Sequence, residues 1–419
     1  MLALPGRRAC AKQLESRLAI SRIEGVFSPG KAPLVAVVLL LAGCATGPRA
    51  NRGQVSDWES DDSAVARESN SAPAAPLVPL APMANAGPVS APADAPLETW
   101  ISVPDWCKDN GLAAPSRLSV APVSTYALNG PDGILTLAVG SKLAHWDGLE
   151  LWLGFAPQLI GGQPCVHWLD LRKTIQPLFA ARNPARLKTD SVIVIDPGHG
   201  GTDSGTKSVL ANGYEKEFTL DWARRLERVL AAEGWQVLLT RNSDADLALS
   251  NRVAFAETHK ADLFVSLHFN SSAPNQEQAG LETYCLTPPG LPSSMTRGYG
   301  DDLALTFANN AFDTENIQLA LRVHQALLGV NGHHDRGVRR ARFPAVLRGQ
   351  QCPAILIEGG YLSNPREARQ IADPAYRQKL AEAVAAALRE KSEVRSPKSE
   401  AGLSGLPVSA EVSQNKAPP

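Results

Sequence analysis

Three apolar runs in this chain each end on a residue that can do chemistry. The run 192–195, VIVI, stops at Asp196-Pro197-Gly198 and delivers His199. The run 261–269, ADLFVSLHF, carries His268 at its end, and 353–358, PAILIE, ends on Glu358 before Gly359-Gly360. Residues 214–217 add Glu215 and Glu217 at the start of an amphipathic helix. Two imidazoles and one carboxylate are the donor set of a hydrolytic zinc site whose fourth position is left to water. A second carboxylate beside that water is a general base. The residues alone do not choose between Glu215 and Glu217, because a helix N-terminus attracts acids through its dipole as well.

Other readings compete. Glu358 could be a buried acid paired with Arg339, Arg340 or Arg348. His333-His334-Asp335 has metal-binding residue types, but adjacent side chains in a Gly-flanked loop seldom converge on one ion. His145, His167, His259 and His324 have no partner at ligand spacing and read as structural or solvated.

The elements that position these groups follow from periodicity. β-branched runs of this kind are strands buried on both faces. Glycines at 198, 200 and 201 free the backbone so that His199 can stand at the C-terminal edge of a sheet, where open α/β folds place their ligands. Phe218, Trp222, Leu226 and Val229-Leu230 recur at helical spacing and stop at Gly234. A strand at 235–240, a helix at 251–260, the His268 strand, a strand at 280–286 and a helix at 316–328 follow. A strand at 345–347, the Glu358 strand and a helix at 374–389 complete an α/β layer with a mostly parallel sheet flanked by helices.

VIVIDPGHGG, then Glu215-Lys216, LTR at 239–241, Arg252-Val253, ADLFVSLHFN and ILIEGGYLSN resemble, in order and spacing, the zinc-dependent N-acetylmuramoyl-L-alanine amidases of bacterial cell walls. The resemblance covers 190–391. It implies a zinc ion (Zn2+) held by His199, Glu215 and His268, with Glu358 as the catalytic carboxylate. It further implies hydrolysis of the amide between N-acetylmuramic acid and L-alanine in peptidoglycan by a zinc-activated water with Glu358 as general base. A role in cell-wall organisation and division, with room for a protein activator, comes with it. Two alternatives stand beside this reading: a catalytically silent peptidoglycan-binding or regulatory protein on the same fold, and a zinc hydrolase of other specificity such as a deacetylase. All four positions are filled, which weighs against the first; products separate the second.

The rest of the chain reads as additions to this unit. Its 419 residues carry a formal charge of −1, so no nucleic-acid footprint is expected. Residues 1–44 look like an export signal: Arg22 and Lys31 precede a short apolar core, and Leu41-Ala42-Gly43-Cys44 resembles a lipoprotein cleavage site. Cys44 would then anchor an exported, periplasmic protein to a membrane by its lipid. Residues 45–96, rich in Pro, Ala and Ser, form a disordered tether, with a typical span of about 40 Å if flexible. Residues 97–182 read as a small, mainly β domain with turn signals at Asn129-Gly130, Asp132-Gly133, Asp147-Gly148 and Gly161-Gly162. Its pieces Val103-Pro104-Asp105-Trp106-Cys107-Lys108 and Cys165-Val166-His167-Trp168-Leu169-Asp170 resemble the repeated strand-then-helix edges of the N-terminal-like domain of copper amine oxidases, with no copper site implied. Its five tryptophans are expected in its core, and Cys107 and Cys165 are candidates for a disulfide in an oxidising compartment. Cys285 and Cys352 read as buried thiols. The loop 287–315, with Pro288-Pro289-Gly290 and Tyr299, is a candidate lid or a surface insertion, and 392–419 is a disordered tail.

Overall fold

The computed structural model describes residues 99–180, 190–296, 300–332 and 334–389. The expected signal, tether and tail, and with them Cys44, lie outside the described residues, as do His333 and Tyr299.

In the N-terminal part, β1 (Trp100–Ser102) leads into α1 (Val103–Asp109), which is capped by the Ser102 hydroxyl. Short strands follow: β2 (Ser116–Ser119), β3 (Thr125–Asn129), β4 (Ile134–Ala138), β5 (Leu143–Trp146), β6 (Leu149–Trp152), β7 (Gln158–Ile160) and β8 (Gln163–His167). Residues 168–179 continue as short helical turns. Strands β1, β8 and β7 form a small antiparallel sheet, and β2 to β6 an antiparallel meander.

The C-terminal part contributes β9 (Val192–Pro197), α2 (Glu215–Ala232), β10 (Gln236–Leu239), α3 (Leu249–Thr258), β11 (Leu263–Asn270), β12 (Leu281–Leu286), α4 (Asp313–Asn331), β13 (Asp335–Ala341), α5 (Ala345–Arg348), β14 (Ala354–Tyr361), α6 (Pro365–Ala372) and α7 (Pro374–Arg389). Its strands run β10-β9-β11-β14-β12-β13, all parallel to their neighbours except at the β14–β12 pair.

The period of two in these strands sorts side chains onto two cores. Ile193, Ile195, Val265, Leu267, Ile355 and Ile357 face the larger core with Trp222 and Leu226 of α2, Ile317 of α4 and Val384 of α7. Val194, Phe264, Ala354 and Leu356 face the other, with Ala256 of α3 and Val346 and Leu347 of α5. Continued by two toward the strand ends, the second face carries Asp196, Ser266, His268 and Glu358. His268 and Glu358 thus share one face and one edge, directly opposite each other.

The segments expected as two domains, 97–182 and 190–391, share one sheet. β6 lies parallel to β13, with Leu151 opposite Val338, so the meander extends the C-terminal sheet to eleven strands. One hydrophobic core holds Leu128, Leu135, Trp146 and Leu151 together with Ile317, Leu321 and Val338. Polar contacts pin the seam: the Glu150 amide donates to Asp335 at 2.8 Å, the Trp152 indole donates to the Arg336 carbonyl at 3.3 Å, and Arg339 sits 4.6 Å above the Trp152 ring.

Some local expectations are corrected. Residues 345–347 belong to helix α5, and the strand of this region is β13, where three arginines obscure the apolar alternation. Residues 168–170 are helical and follow β8 directly. Cys107 and Cys165 are buried free thiols, and burial pushes both above the usual thiol range. Cys285 and Cys352 are buried as well, pushed up to about 11 and about 12. Trp106 and Trp146 pack edge-on against Phe179, whereas Trp100, Trp152 and Trp168 are half-buried.

Candidate metal centre

β9 ends on Asp196-Pro197, and the chain turns at once through Gly198 to His199, which is in the left-handed region at φ 61°. A Cβ at residue 198 would lie 2.2 Å from Cε1 of the His268 ring, so only glycine lets the two histidines approach. The turn is held from beneath by two buried arginines. Arg252 donates to the carbonyls of Pro197 and His199, both at 2.9 Å, while ion-pairing with Asp196 at 2.7 Å. Arg241 donates to the carbonyls of Pro197 and Gly198 at 3.0 and 2.7 Å; its burial, with Arg252 close by, lowers its pKa to about 10. Asp196 also accepts from Thr240 at 2.6 Å and Ser266 at 2.8 Å, and these groups hold its carboxyl below its ordinary range in spite of burial. The LTR and Arg252 motifs therefore serve the carbonyls of the histidine turn.

Glu215 opens α2 and is 2% exposed. Its Oε1 lies 3.2 Å from His199 Nε2 and 3.0 Å from His268 Nδ1. The backbone amides of Phe269 and Thr206, each at 3.0 Å, fix the carboxylate plane. Glu217, the competitor, instead accepts from the Tyr214 amide at 3.0 Å and caps the helix. The donor atoms of His199, Glu215 and His268 all lie within 4.8 Å of one another. Tetrahedral zinc at its usual bond lengths separates adjacent donors by ~3.3 Å. The separations of 3.2 and 3.0 Å match that spacing, and the N/O donor set suits zinc.

Asp203, four residues beyond His199, places both carboxylate oxygens 2.8 Å from His199 Nδ1 and accepts the Gly205 amide at 3.1 Å. This second partner engages the far nitrogen and turns Nε2 toward Glu215. Asp203 stands two residues beyond VIVIDPGHGG and was given no role from the sequence; an acid at close range after a ligand-type histidine was its only signal. Burial works against the His199 cation, yet Glu215 and Asp203 raise its pKa to about 10. Glu215 is held far below the carboxylate range by the two imidazoles, against its burial. Burial, with the His199 charge nearby, lowers His268 although Glu215 favours its cation. The pocket is therefore built to hold positive charge between carboxylates.

Glu358 lies in β14 directly opposite His268 of β11 and opposite Glu282 of β12, and is buried. Glu282 was not singled out from the sequence. Fully buried, it takes Arg336 at 2.8 Å, Arg339 at 3.3 Å, the Asn270 amide at 3.0 Å and the Tyr284 hydroxyl at 2.8 Å. Asp335 of the His333-His334-Asp335 cluster is engaged elsewhere: it holds the buried His324 at 2.8 Å, whose other nitrogen meets Thr283 at 3.0 Å. Of the loop 287–315, the described residues are tied down by Arg342, which pairs with Asp301 and donates to the carbonyls of Pro288 and Leu291 at 2.9 and 2.8 Å.

The Amidase_3 family, described as N-acetylmuramoyl-L-alanine amidase, matches residues 193–390. The chain is 30% identical over 243 residues to the N-acetylmuramoyl-L-alanine amidase AmiC of Escherichia coli O6:H1, covering 52% of this chain and 58% of that protein. It is 32% identical over 282 residues to LytC of Bacillus subtilis, covering 64% of this chain and 50% of LytC. With AmiA of Escherichia coli (strain K12) the identity is 32% over 216 residues, covering 46% of this chain and 73% of AmiA. The chain thus spans roughly half the length of AmiC and LytC and nearly three quarters of AmiA.

Proposed function

The chain belongs to the N-acetylmuramoyl-L-alanine amidase family, and from that premise we propose that it hydrolyses the amide bond between N-acetylmuramic acid and L-alanine in bacterial peptidoglycan. The observation that carries the reading is the convergence of His199 Nε2, Glu215 Oε1 and His268 Nδ1, at 3.2 and 3.0 Å, on a buried spot one strand from Glu358. These three residues would hold the zinc. Bound there, zinc supplies Lewis acidity toward the amide carbonyl and lowers the pKa of a water to about 7.

The chain's own groups do the rest. Glu358 accepts the proton of the attacking water and delivers it to the departing amine of L-alanine as the carbon–nitrogen bond breaks. Asp203 holds His199 in the tautomer whose Nε2 faces the site, and the Phe269 and Thr206 amides keep Glu215 from rotating away. Arg241 and Arg252 fix the turn that carries His199. Export to the periplasm, membrane anchoring through Cys44 and response to a protein activator belong to the same proposal. Among the described residues no helix is long and apolar enough to cross a membrane.

The test is peptide release from purified peptidoglycan by the exported chain, beside Glu358→Ala and a chelator-treated sample. Peptides and no acetate are expected from the metal-loaded chain. Chelation should stop release and zinc restore it. Glu358→Ala should keep its zinc and lose at least about 100-fold in rate. Acetate in place of peptides would move the chain to the deacetylases, and zinc without either product would make it a wall-binding protein.

A further inference from the structure

An open groove of about 380 Å³ lies beside the proposed active site, walled by Asn275, Glu277 and Gln278 of the segment after β11 and by His334 and Arg336 at the start of β13. Arg336 is built into it. Its Nε donates to the fully buried Glu282 at 2.8 Å, and its guanidinium lies 5.2 Å over the ring of Tyr361, the residue that ends β14. A register shift between Leu281 and Thr283 allows both Arg336 and Arg339 to reach Glu282. Only the Nε edge is used: no hydrogen bond joins the two Nη nitrogens to any described residue, and the side chain is 20% exposed. A guanidinium locked by one carboxylate and one ring, with its outer fork turned to an open groove, is arranged to take a second carboxylate in bidentate fashion.

Its distance from the chemistry identifies the ligand. Glu358, Glu282 and Arg336 sit on three successive strands, β14, β12 and β13, at one edge of the sheet. Two inter-strand steps are about 10 Å, the span of roughly three extended peptide residues. We infer that this groove is a subsite for the stem peptide of the substrate, in which Arg336 binds a carboxylate on the third residue counted from the scissile amide. Glu277 adds one negative group to a wall that also holds Asn275, Gln278, Ala279 and His334, which suits a residue that bears an amine as well as a carboxylate. The inference rests on the amidase reading for the direction in which the peptide leaves Glu358.

The test compares two N-acetylmuramoyl tripeptides, one with a free side-chain carboxylate on its third residue and one with that group amidated. Wild type, Arg336→Gln and Arg336→Lys are assayed; the lysine variant keeps a cation against Glu282 but loses the fork. For the acid substrate, KM should rise about tenfold or more in both variants, with kcat within twofold; for the amide, KM should change less than twofold. An equal change on both substrates, or a fall in kcat with KM unmoved, overturns the subsite and leaves Arg336 as a support for Glu282. If wild type turns over neither compound, calorimetric binding of the two separates the readings. A preference for the acid that Arg336→Gln abolishes retains the subsite while the amidase assignment falls, and no preference overturns the subsite.

Discussion

Gly198→Ala is the smallest change expected to break the site, and its size follows from one contact. An added Cβ would sit 2.2, 2.5 and 2.6 Å from Cε1, Nε2 and Nδ1 of His268. Ordinary carbon contacts are ~3.5 Å, so the ring and the turn must separate by roughly 1.3 Å. The turn cannot recede easily: Arg241 and Arg252 hold the carbonyls of Pro197, Gly198 and His199, and both arginines are buried. The His268 ring therefore moves, and Nδ1 leaves its 3.0 Å position against Glu215. A shift of this order in a positioned group costs ~100-fold in turnover, and a disturbed ligand weakens metal binding by 10- to 100-fold on the scale of lost outer-shell support. The assay is zinc affinity by competition with a chromogenic chelator, run beside peptide release and thermal melting. A variant that melts near wild type with zinc affinity and turnover within twofold would refute the claim that this close approach sets His268.

Asp203→Ala should lower zinc affinity about 10- to 100-fold with a melting temperature close to wild type, since the aspartate acts on His199 from a half-exposed loop; chelator competition reads it. Asp221 pairs with Arg225 of its own helix and ties α2 to α7 through Arg377, and both arginines hold its carboxyl below the ordinary range although partial burial works the other way. A depressed folded value contributes stability above the unfolded value of about 3.9, lost as pH falls through the folded one. Asp221→Asn should accordingly lower the melting temperature at pH 7 and flatten its decline below about pH 4; an unchanged acid limb would remove Asp221 from that role. Cys44→Ala should move the full chain from the membrane fraction to the soluble fraction of the envelope, and a wild type already soluble there would end the anchor proposal.

The chemistry was legible because strand-end motifs state residue type and context together. VIVIDPGHGG announces a buried strand, a break and an imidazole within ten residues, and the other two runs repeat that pattern for His268 and Glu358. Local information of this kind survives without a fold. The choice of Glu215 over Glu217 is of another kind, since both are acids in the first turn of one helix. Only the packing of α2 against β9 and β11 turns one toward the histidines and leaves the other on the Tyr214 amide.

The same division runs through the rest of the molecule. β13 escaped detection because Arg336, Arg339 and Arg340 interrupt its apolar pattern, and what makes those charges tolerable, Glu282 above all, lies more than fifty residues away in sequence. The junction of β6 with β13 had no local mark either, because backbone hydrogen bonds between strands carry little imprint of partner choice in a single chain. Residue identity and period were enough to single out His199, His268 and Glu358 near the ends of their strands and the Glu215/Glu217 pair at the start of a helix. Which acid faces the histidines, which aspartate steadies His199, and that the N-terminal meander prolongs the C-terminal sheet were settled by tertiary packing, since each depends on the distance between residues far apart along the chain.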